Sequence, residues 1–144
     1  PETLAATLLA PLPPTEATAI LDRLDAPGSA RQAVEGARTL LTVSPSADPD
    51  TLDRLASTTP EARTAAHWLG GTPQIELQRQ LRRWERTLPH LDANDLLRLG
   101  IPQGPSLGES LRTLRRARYL GTLRSPSEAR ALINSQQRAT RSQP

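Results

Sequence analysis

Residues 95–111 read DLLRLGIPQGPSLGESL, in which two leucine-rich helical patterns meet at a joint of glycine and proline. The joint holds three of the eight glycines of the chain and two of its prolines, namely Gly100, Pro102, Gly104, Pro105 and Gly108. Glycine adopts the left-handed conformation that ends a helix, and proline suits the first position of the next one. The stretch therefore predicts one helix that ends at Gly100 and a second that begins at Pro105.

Similar helix starts recur along the rest of the chain. In four places a capping side chain stands directly before a proline, namely Asp48-Pro49, Thr59-Pro60, Thr72-Pro73 and Ser125-Pro126. Apolar residues then repeat at helical spacing, and no segment alternates as a strand would. We therefore predict an all-α fold, a multi-helix bundle of two small helical subdomains with about eight or nine helices.

The composition agrees with a helical protein that forms no disulfides. Hydrophobic residues make up 36% of the chain, and Phe, Met and Cys are absent. Without cysteine there is no disulfide, no thiolate metal site and no cysteine nucleophile. No apolar run approaches the roughly 20 residues of a membrane span. We expect a cytoplasmic protein with no membrane partner.

Charge divides the chain into two parts. Residues 1–73 carry five Arg against nine acidic residues, a net charge of −4, and the remainder carries thirteen Arg against six, a net charge of +7. The sign changes just after Gly70-Gly71, the clearest hinge in the sequence. We predict a helical body subdomain at 1–71 and a basic tail subdomain at 72–144, frayed from Gln136 onward. The basic part is expected to face an anionic partner.

Two helices of the basic part separate their leucines from their arginines. The first has a predicted inward stripe of Leu77, Leu81, Trp84 and Leu88, and the second one of Leu107, Leu111, Leu114 and Leu120. On other faces lie two arginine stripes, namely Arg79, Arg82, Arg83 and Arg86, and Arg112, Arg115 and Arg116 with Tyr119. Like charges on adjacent turns repel one another. A phosphate backbone would remove that cost, whereas the alternative is an ordinary solvated helix face.

The joint adds backbone donors to the second arginine stripe. A helix N-terminus has unbonded amides and binds anions, so we predict that Gly104 and Ser106 contribute to binding. Gly108 lies inside the helix, where glycine costs up to about 1 kcal/mol relative to alanine. This indicates tight packing or the close approach of a ligand at Gly108. A tight turn that merely lets two helices cross is the alternative for the joint.

The same joint resembles a known family. The resemblance is carried by Asp95-Leu96, by Leu99-Gly100-Ile101-Pro102-Gln103-Gly104-Pro105-Ser106-Leu107-Gly108 and by Leu111, followed by Gly121-Thr122-Leu123 and Ser125-Pro126-Ser127-Glu128-Ala129. These residues resemble the C-terminal body and tail region of bacterial tRNA nucleotidyltransferases, the CCA-adding enzymes and their relatives in the poly(A) polymerase superfamily. The resemblance covers about residues 88–133. It departs at Asp92-Ala93-Asn94, where the family commonly has Thr-Gly.

This resemblance implies a non-catalytic segment that holds the elbow and acceptor stem of tRNA. A catalytic head, expected upstream of Pro1, would add nucleotides to the 3′ end. The segment itself is expected to have no catalytic residue, metal or cofactor, although the resemblance implies Mg²⁺ and CTP or ATP for the parent enzyme. We expect the RNA-binding residues to be Arg79, Arg82, Arg83, Arg86, Gly104, Ser106, Arg112, Arg115, Arg116 and Tyr119.

Two other functions remain open at this point. The Asp95–Ile101 stretch with a glycine-containing helix start also resembles sterile-alpha-motif domains, which are protein-interaction modules. A helix-hairpin-helix unit that binds DNA is the second alternative, although the joint is longer than its usual turn. Gel shifts with tRNA and duplex DNA, and ultracentrifugation for self-association, would separate the three.

Other chemistry-bearing residues favour structural roles. Asp48 and Asp50 have the spelling of a metal-binding pair, but Pro49 between them predicts a helix cap. We expect His67 and His90 to pack or to lie at the surface, because a metal site would need further ligands nearby. Trp68 and Trp84 lie on apolar stripes, so we expect both in the core; a platform for a stacked base is the alternative.

Overall fold

A computed structural model describes the backbone of residues 1–141 and the side chains of residues 1–138. Over this part the chain is all-helical, without strands, which confirms the predicted fold class. Its eight helices are α1 (Glu2–Leu9), α2 (Pro14–Arg23), α3 (Gly28–Thr42), α4 (Pro49–Leu55), α5 (Pro60–Arg86), α6 (Ala93–Arg98), α7 (Pro105–Tyr119) and α8 (Pro126–Arg141). Across the described residues, none of these helices has the length and apolarity needed to cross a bilayer.

Capping side chains start three helices where the sequence predicts, whereas the fourth predicted start, Thr72-Pro73, lies within α5 just after its kink. Asp48 Oδ1 accepts hydrogen bonds from the amides of Asp50 and Thr51 at 2.9 and 3.1 Å. In the same way, Thr59 Oγ1 accepts from the Ala62 amide and Ser125 Oγ from the Glu128 amide, both at 3.2 Å. These bonds satisfy amides that have no partner inside the helix, which is why the caps favour helix formation.

Helix α5 is kinked at the predicted hinge. Gly71 has φ 57° and ψ −140°, a conformation outside the helical region that glycine adopts without a Cβ clash. At Gly70 a Cβ would lie 2.1 Å from Gln74 Cγ, because the Gln74 side chain folds back over it. The buried Gln74 amide donates to the Leu40 carbonyl at 2.6 Å. The two glycines thus allow α5 to bend and Gln74 to reach α3.

The chain forms two compact units, one from Pro1 to Trp84 and the other beginning at Glu85. The sequence predicts the boundary after Gly71, whereas the units divide after Trp84. The difference arises because α5 stays packed in the first unit beyond its kink. Gln80 Nε2 donates to the Pro45 carbonyl at 2.5 Å, and Trp84 Nε1 donates to Asp53 Oδ1 at 3.3 Å.

The first unit packs largely through small side chains. Its fully buried residues include six alanines of three helices, namely Ala6, Ala33, Ala37, Ala62, Ala65 and Ala66. A Cβ at Gly36 of α3 would meet the Ala62 Cβ of α5 at 2.9 Å. The two helices therefore cross with their backbones close together, which only glycine and alanine at the crossing permit.

The second unit has a leucine core around α6, α7 and α8. The buried residues are Leu91, Leu96, Leu114, Leu123, Ala129 and Ile133. Before α6, Asp92 and Asp95 form a reciprocal capping box. After α6, Gly100 has φ 87°, and the Ile101 amide donates to the Leu96 carbonyl at 3.0 Å. This glycine-ended helix stop, together with Gly104 before Pro105, is the joint that the sequence predicts.

The ends of three helices differ from the sequence-based expectation. Leu88 and Leu120, which were predicted to face inward, are 66% and 56% exposed. Helix α5 ends at Arg86, so Leu88 does not follow the helical periodicity that the prediction assumed. Leu120 caps the C-terminus of α7 in a helical conformation, but it comes six residues after Leu114, a spacing that does not keep it on the leucine face. Helix α8 continues past Gln136 to Arg141, and Gln137 Nε2 donates to the Leu99 carbonyl at 3.0 Å. The fraying predicted for residues 142–144 lies outside the described residues.

Candidate nucleic-acid interface

The last turns of α5 carry an exposed arginine stripe. Its members are Arg79, Arg82, Arg83 and Arg86, all exposed. Helical spacing places them opposite the buried side chains of Leu77, Leu81 and Trp84. Arg79 Nη1 forms an ion pair with Glu76 Oε2 one turn earlier. Such a surface pair is worth only about 0–1 kcal/mol, so a phosphate group can replace the carboxylate at little cost.

A second basic surface, the α7 face, is formed by Gly108, Arg112, Arg116 and Tyr119. These residues follow one another at spacings of four, four and three, which keeps them on one side of the helix. Arg112 and Arg116 are exposed, and Tyr119 is half-buried. The nearest atom to a Cβ built on Gly108 is Arg112 Nη2, at 3.9 Å. Tight helix packing, which was predicted as one explanation of Gly108, is therefore not found. The Arg112 guanidinium lies beside the Gly108 backbone, where no side chain intervenes.

Arg115, which was predicted to bind phosphate with its neighbours, is placed differently. It is half-buried, and its Nε donates to the Thr87 carbonyl at 3.0 Å. Arg118 Nη1 donates to the next carbonyl, that of Leu88, at 2.7 Å. These two arginines hold α7 against the segment that follows α5. Sequence spacing could not show this, because the acceptors are backbone atoms nearly 30 residues away.

Some of the backbone hydrogen-bonding groups at the start of α7 already have partners. The Gly104 carbonyl accepts from the amides of Leu107 and Gly108 at 3.2 and 3.5 Å. Pro105 has no amide hydrogen, and the Ser106 hydroxyl donates to the Pro102 carbonyl at 3.5 Å. Of the predicted donors, the N–H groups of Gly104 and Ser106 are the two that the helix geometry leaves without an intrahelical acceptor.

The second unit is the more basic of the two. From Glu85 onward the sequence has ten Arg and five acidic residues, a net charge of +5, whereas Pro1–Trp84 has eight Arg and ten acidic residues, a net charge of −2. Part of this charge lies on α8, where Arg130, Asn134 and Arg138 are exposed at spacings of four. This stripe was not among the sequence-based predictions, although the same spacing rule would have found it.

No protein-family model, curated protein sequence or solved structure matches the chain. The resemblance to tRNA nucleotidyltransferases therefore rests on the motif around the joint alone.

Candidate metal ligands do not cluster in the described part of the chain, where no group of three or more His, Cys, Asp or Glu residues could hold a metal ion. Asp48, the first residue of the D-x-D sequence, is a helix cap as predicted. Hydrogen bonds from the Thr51 hydroxyl and from backbone amides hold the pKa of Asp48 below its ordinary value of 3.8.

The two tryptophans lie in opposite environments. Trp84 is 2% exposed and packs in the core of the first unit, as predicted. Trp68 is 66% exposed, so the prediction that it packs in the core is wrong. The kink at Gly71 separates Trp68 from the later leucines, and the apolar stripe of α5 does not continue through it. His67, beside Trp68, is also exposed, whereas His90 is half-buried.

Proposed function

We propose that the chain is a tRNA-binding helical segment of a tRNA nucleotidyltransferase. In this proposal it positions tRNA for addition of CCA to the 3′ end by a catalytic head domain, which uses Mg²⁺ and CTP or ATP. Its partners are the acceptor stem and elbow of tRNA, and its place of action is the cytoplasm. The segment contributes binding and orientation, and the head contributes the chemistry.

One observation carries the proposal: α5 and α7 each expose arginines on a face away from their own buried leucines. Arg82 and Arg86 represent this face on α5, and Arg112 and Arg116 represent it on α7. A-form RNA is recognised mainly by shape, phosphate and ribose, which an arginine-lined helical surface can contact without reading bases. Arginine suits this task because its planar guanidinium binds phosphate oxygens in pairs.

The start of α7 supports the same function. Gly104 and Ser106 supply amides at a helix N-terminus, where the helix dipole favours an anion. Gly108 leaves the next turn free of a side chain, and the Arg112 guanidinium reaches toward it. A phosphate at this position would contact both backbone and guanidinium. The motif that resembles the nucleotidyltransferases coincides with this stretch.

Fluorescence anisotropy with labelled tRNA, measured from about 50 to 200 mM salt, tests the proposal. We expect affinity to fall steeply as salt rises. The double variants Arg82→Gln/Arg86→Gln and Arg112→Gln/Arg116→Gln should each bind less tightly and lower the salt slope by about two, because each removed guanidinium leaves one phosphate unneutralised. The matched control is Arg23→Gln/Arg54→Gln, which removes the same charge from exposed positions of α2 and α4.

The results that contradict the proposal are equally definite. A flat salt response, or equal losses in the control and test variants, would show that the two faces do not bind RNA. Tighter binding to duplex DNA than to tRNA would favour the helix-hairpin-helix alternative. Concentration-dependent oligomers that RNA does not affect, observed by analytical ultracentrifugation, would favour the sterile-alpha-motif alternative.

A further inference from the structure

The exposed Trp68 is the least expected side chain of the first unit. Large aromatic residues are usually well buried, yet Trp68 is 66% exposed. It stands close to the kink of α5, and two further apolar side chains near the kink, Leu69 and Ile75, are 38% and 45% exposed. Trp68 does not contribute to the core of the first unit, which is formed by other residues.

The surroundings of Trp68 suit an anionic partner. The sequence has no acidic residue between Glu61 and Glu76, so the kink region carries no carboxylate of its own. Beyond the kink, Ile75, Arg79, Arg82 and Arg86 recur at spacings of four, three and four along α5. An exposed apolar residue thus begins the same helix face that the arginines continue.

We infer that Trp68 provides a stacking surface for an unpaired base of the bound RNA. This inference rests on the proposed function and names the part of the RNA that the first unit contacts. An indole ring stacks on any base, while guanidinium groups of the same helix hold the phosphates, the combination that single-stranded nucleic acids require. The loops of tRNA supply unpaired bases, which a regular duplex does not.

A protein partner fits the same surface less well. A buried tryptophan contributes about 150–250 Å², whereas a stable protein interface needs about 800 Å² from each partner. Trp68 and its two partly exposed neighbours are too few to approach that area. The arginines that follow on α5 also favour a phosphate-bearing ligand over an apolar one.

The test measures binding of the full chain to three RNAs: tRNA, a single-stranded RNA of about 12 nucleotides, and a blunt duplex of the same sequence. Trp68→Ala should weaken binding of tRNA and the single strand by at least about fivefold, the lower end of the range for base–aromatic stacking. The affinity for the blunt duplex should not change. Leu4→Ala, which removes an exposed side chain without a π face from α1, away from the kink of α5 in the sequence, is the matched control and should change affinity by less than about twofold.

Tryptophan fluorescence supplies an independent measurement. Trp84 is buried, so quenching by added RNA should report Trp68, and the Trp68→Phe variant should show no quenching. Equal effects of Trp68→Ala on duplex and single strand, or none on either, would overturn the inference while leaving salt-dependent tRNA binding intact. Trp68-dependent self-association without RNA would also overturn it. If anisotropy shows no RNA binding by the unmodified chain, the proposed function fails and this inference fails with it.

Discussion

Helices α5 and α7 have nearly the same sequence pattern, a leucine stripe with arginines on other faces, but not all of their arginines make the same kind of contact. On α5 the stripe lies opposite the core, and Arg79 pairs with Glu76 of the same helix. On α7, Arg115 and Arg118 bind the carbonyls of Thr87 and Leu88. Arginines that follow one pattern can therefore stay at the surface in one helix and hold neighbouring segments together in another.

The largest expected effect on stability distinguishes the buried leucines of α5 and α7 from the exposed leucines that follow the two helices. Leu77→Ala and Leu114→Ala should each lower the free energy of unfolding by about 2–5 kcal/mol, because both side chains are fully buried and leave cavities. Leu88→Ala and Leu120→Ala, exposed at the ends of the same predicted stripes, should change it by less than about 0.5 kcal/mol. Urea denaturation of the four variants provides the measurement.

A loss above about 1 kcal/mol for Leu88→Ala would show that this leucine is covered and that the predicted stripe continues past Arg86. The comparison is sharp because all four changes remove the same atoms from the same residue type. Only the burial differs among them.

The next effect distinguishes the two sets of arginines. Arg115→Ala/Arg118→Ala should destabilise the fold by about 2 kcal/mol, since it removes two charge-assisted hydrogen bonds to backbone carbonyls, one of them from a half-buried side chain. Arg82→Ala/Arg86→Ala should change stability by no more than about 0.5 kcal/mol. Thermal melting followed by circular dichroism measures both. Equal losses of stability in the two variants would show that the arginines of α5 and the two arginines of α7 contribute equally to folding.

These contrasts show what the sequence can predict about this fold. The helix starts at Asp48, Thr59 and Ser125, and the joint at Gly100, were predictable because capping is local chemistry between neighbours in the chain. The exposure of Leu88 was not, because periodicity gives the direction of a side chain only while the helix lasts. Burial at a helix end depends on which other segment covers it.

The same limit applies to the candidate site. The arginine stripes were predictable from spacing, but the use of Arg115 for packing was not, since its acceptor is a distant backbone carbonyl. The prediction for Trp68 failed because it extended the apolar pattern of α5 through Gly70-Gly71. The kink at Gly71 breaks that pattern, and a glycine pair indicates a bend without giving its direction.

Two helical glycines provide a smaller test, with effects of opposite sign. Gly36→Ala should destabilise the first unit by about 1–3 kcal/mol, because the added Cβ would meet the Ala62 Cβ at 2.9 Å where α3 crosses α5. Gly108→Ala on α7 should instead stabilise the fold by up to about 1 kcal/mol, because its Cβ would make only an ordinary contact with Arg112 Nη2 at 3.9 Å.

The Gly108→Ala variant also tests why a glycine stands there. If Gly108 allows a phosphate to approach α7, the variant should gain stability and bind tRNA less tightly. Denaturation and anisotropy on one preparation give both values. A gain in stability with unchanged tRNA affinity would show that the glycine has no role in binding.

The smallest expected effect concerns the cap of α4, the helix whose Asp53 accepts the hydrogen bond of Trp84 on α5. The folded chain holds the pKa of Asp48 below 3.8, first through the Thr51 hydroxyl and then through backbone amides. A lowered pKa stabilises the fold above the pKa of the unfolded chain, and this contribution is lost as the pH falls through the folded value. The unmodified chain should therefore lose its advantage over Asp48→Asn as the pH falls below about 4.

Thr51→Val sharpens this prediction, because it removes the hydroxyl that donates to Asp48 Oδ2 at 2.7 Å and leaves the backbone donors in place. In this variant the pKa of Asp48 should lie nearer its ordinary value, so the acid-dependent loss of stability should be smaller and should be complete at a higher pH. Melting temperatures of the three proteins between about pH 5 and 2 measure the shift. Parallel curves for all three would mean that the cap is equally strong with a neutral side chain, and that charge at Asp48 does not help to hold α4 against α5.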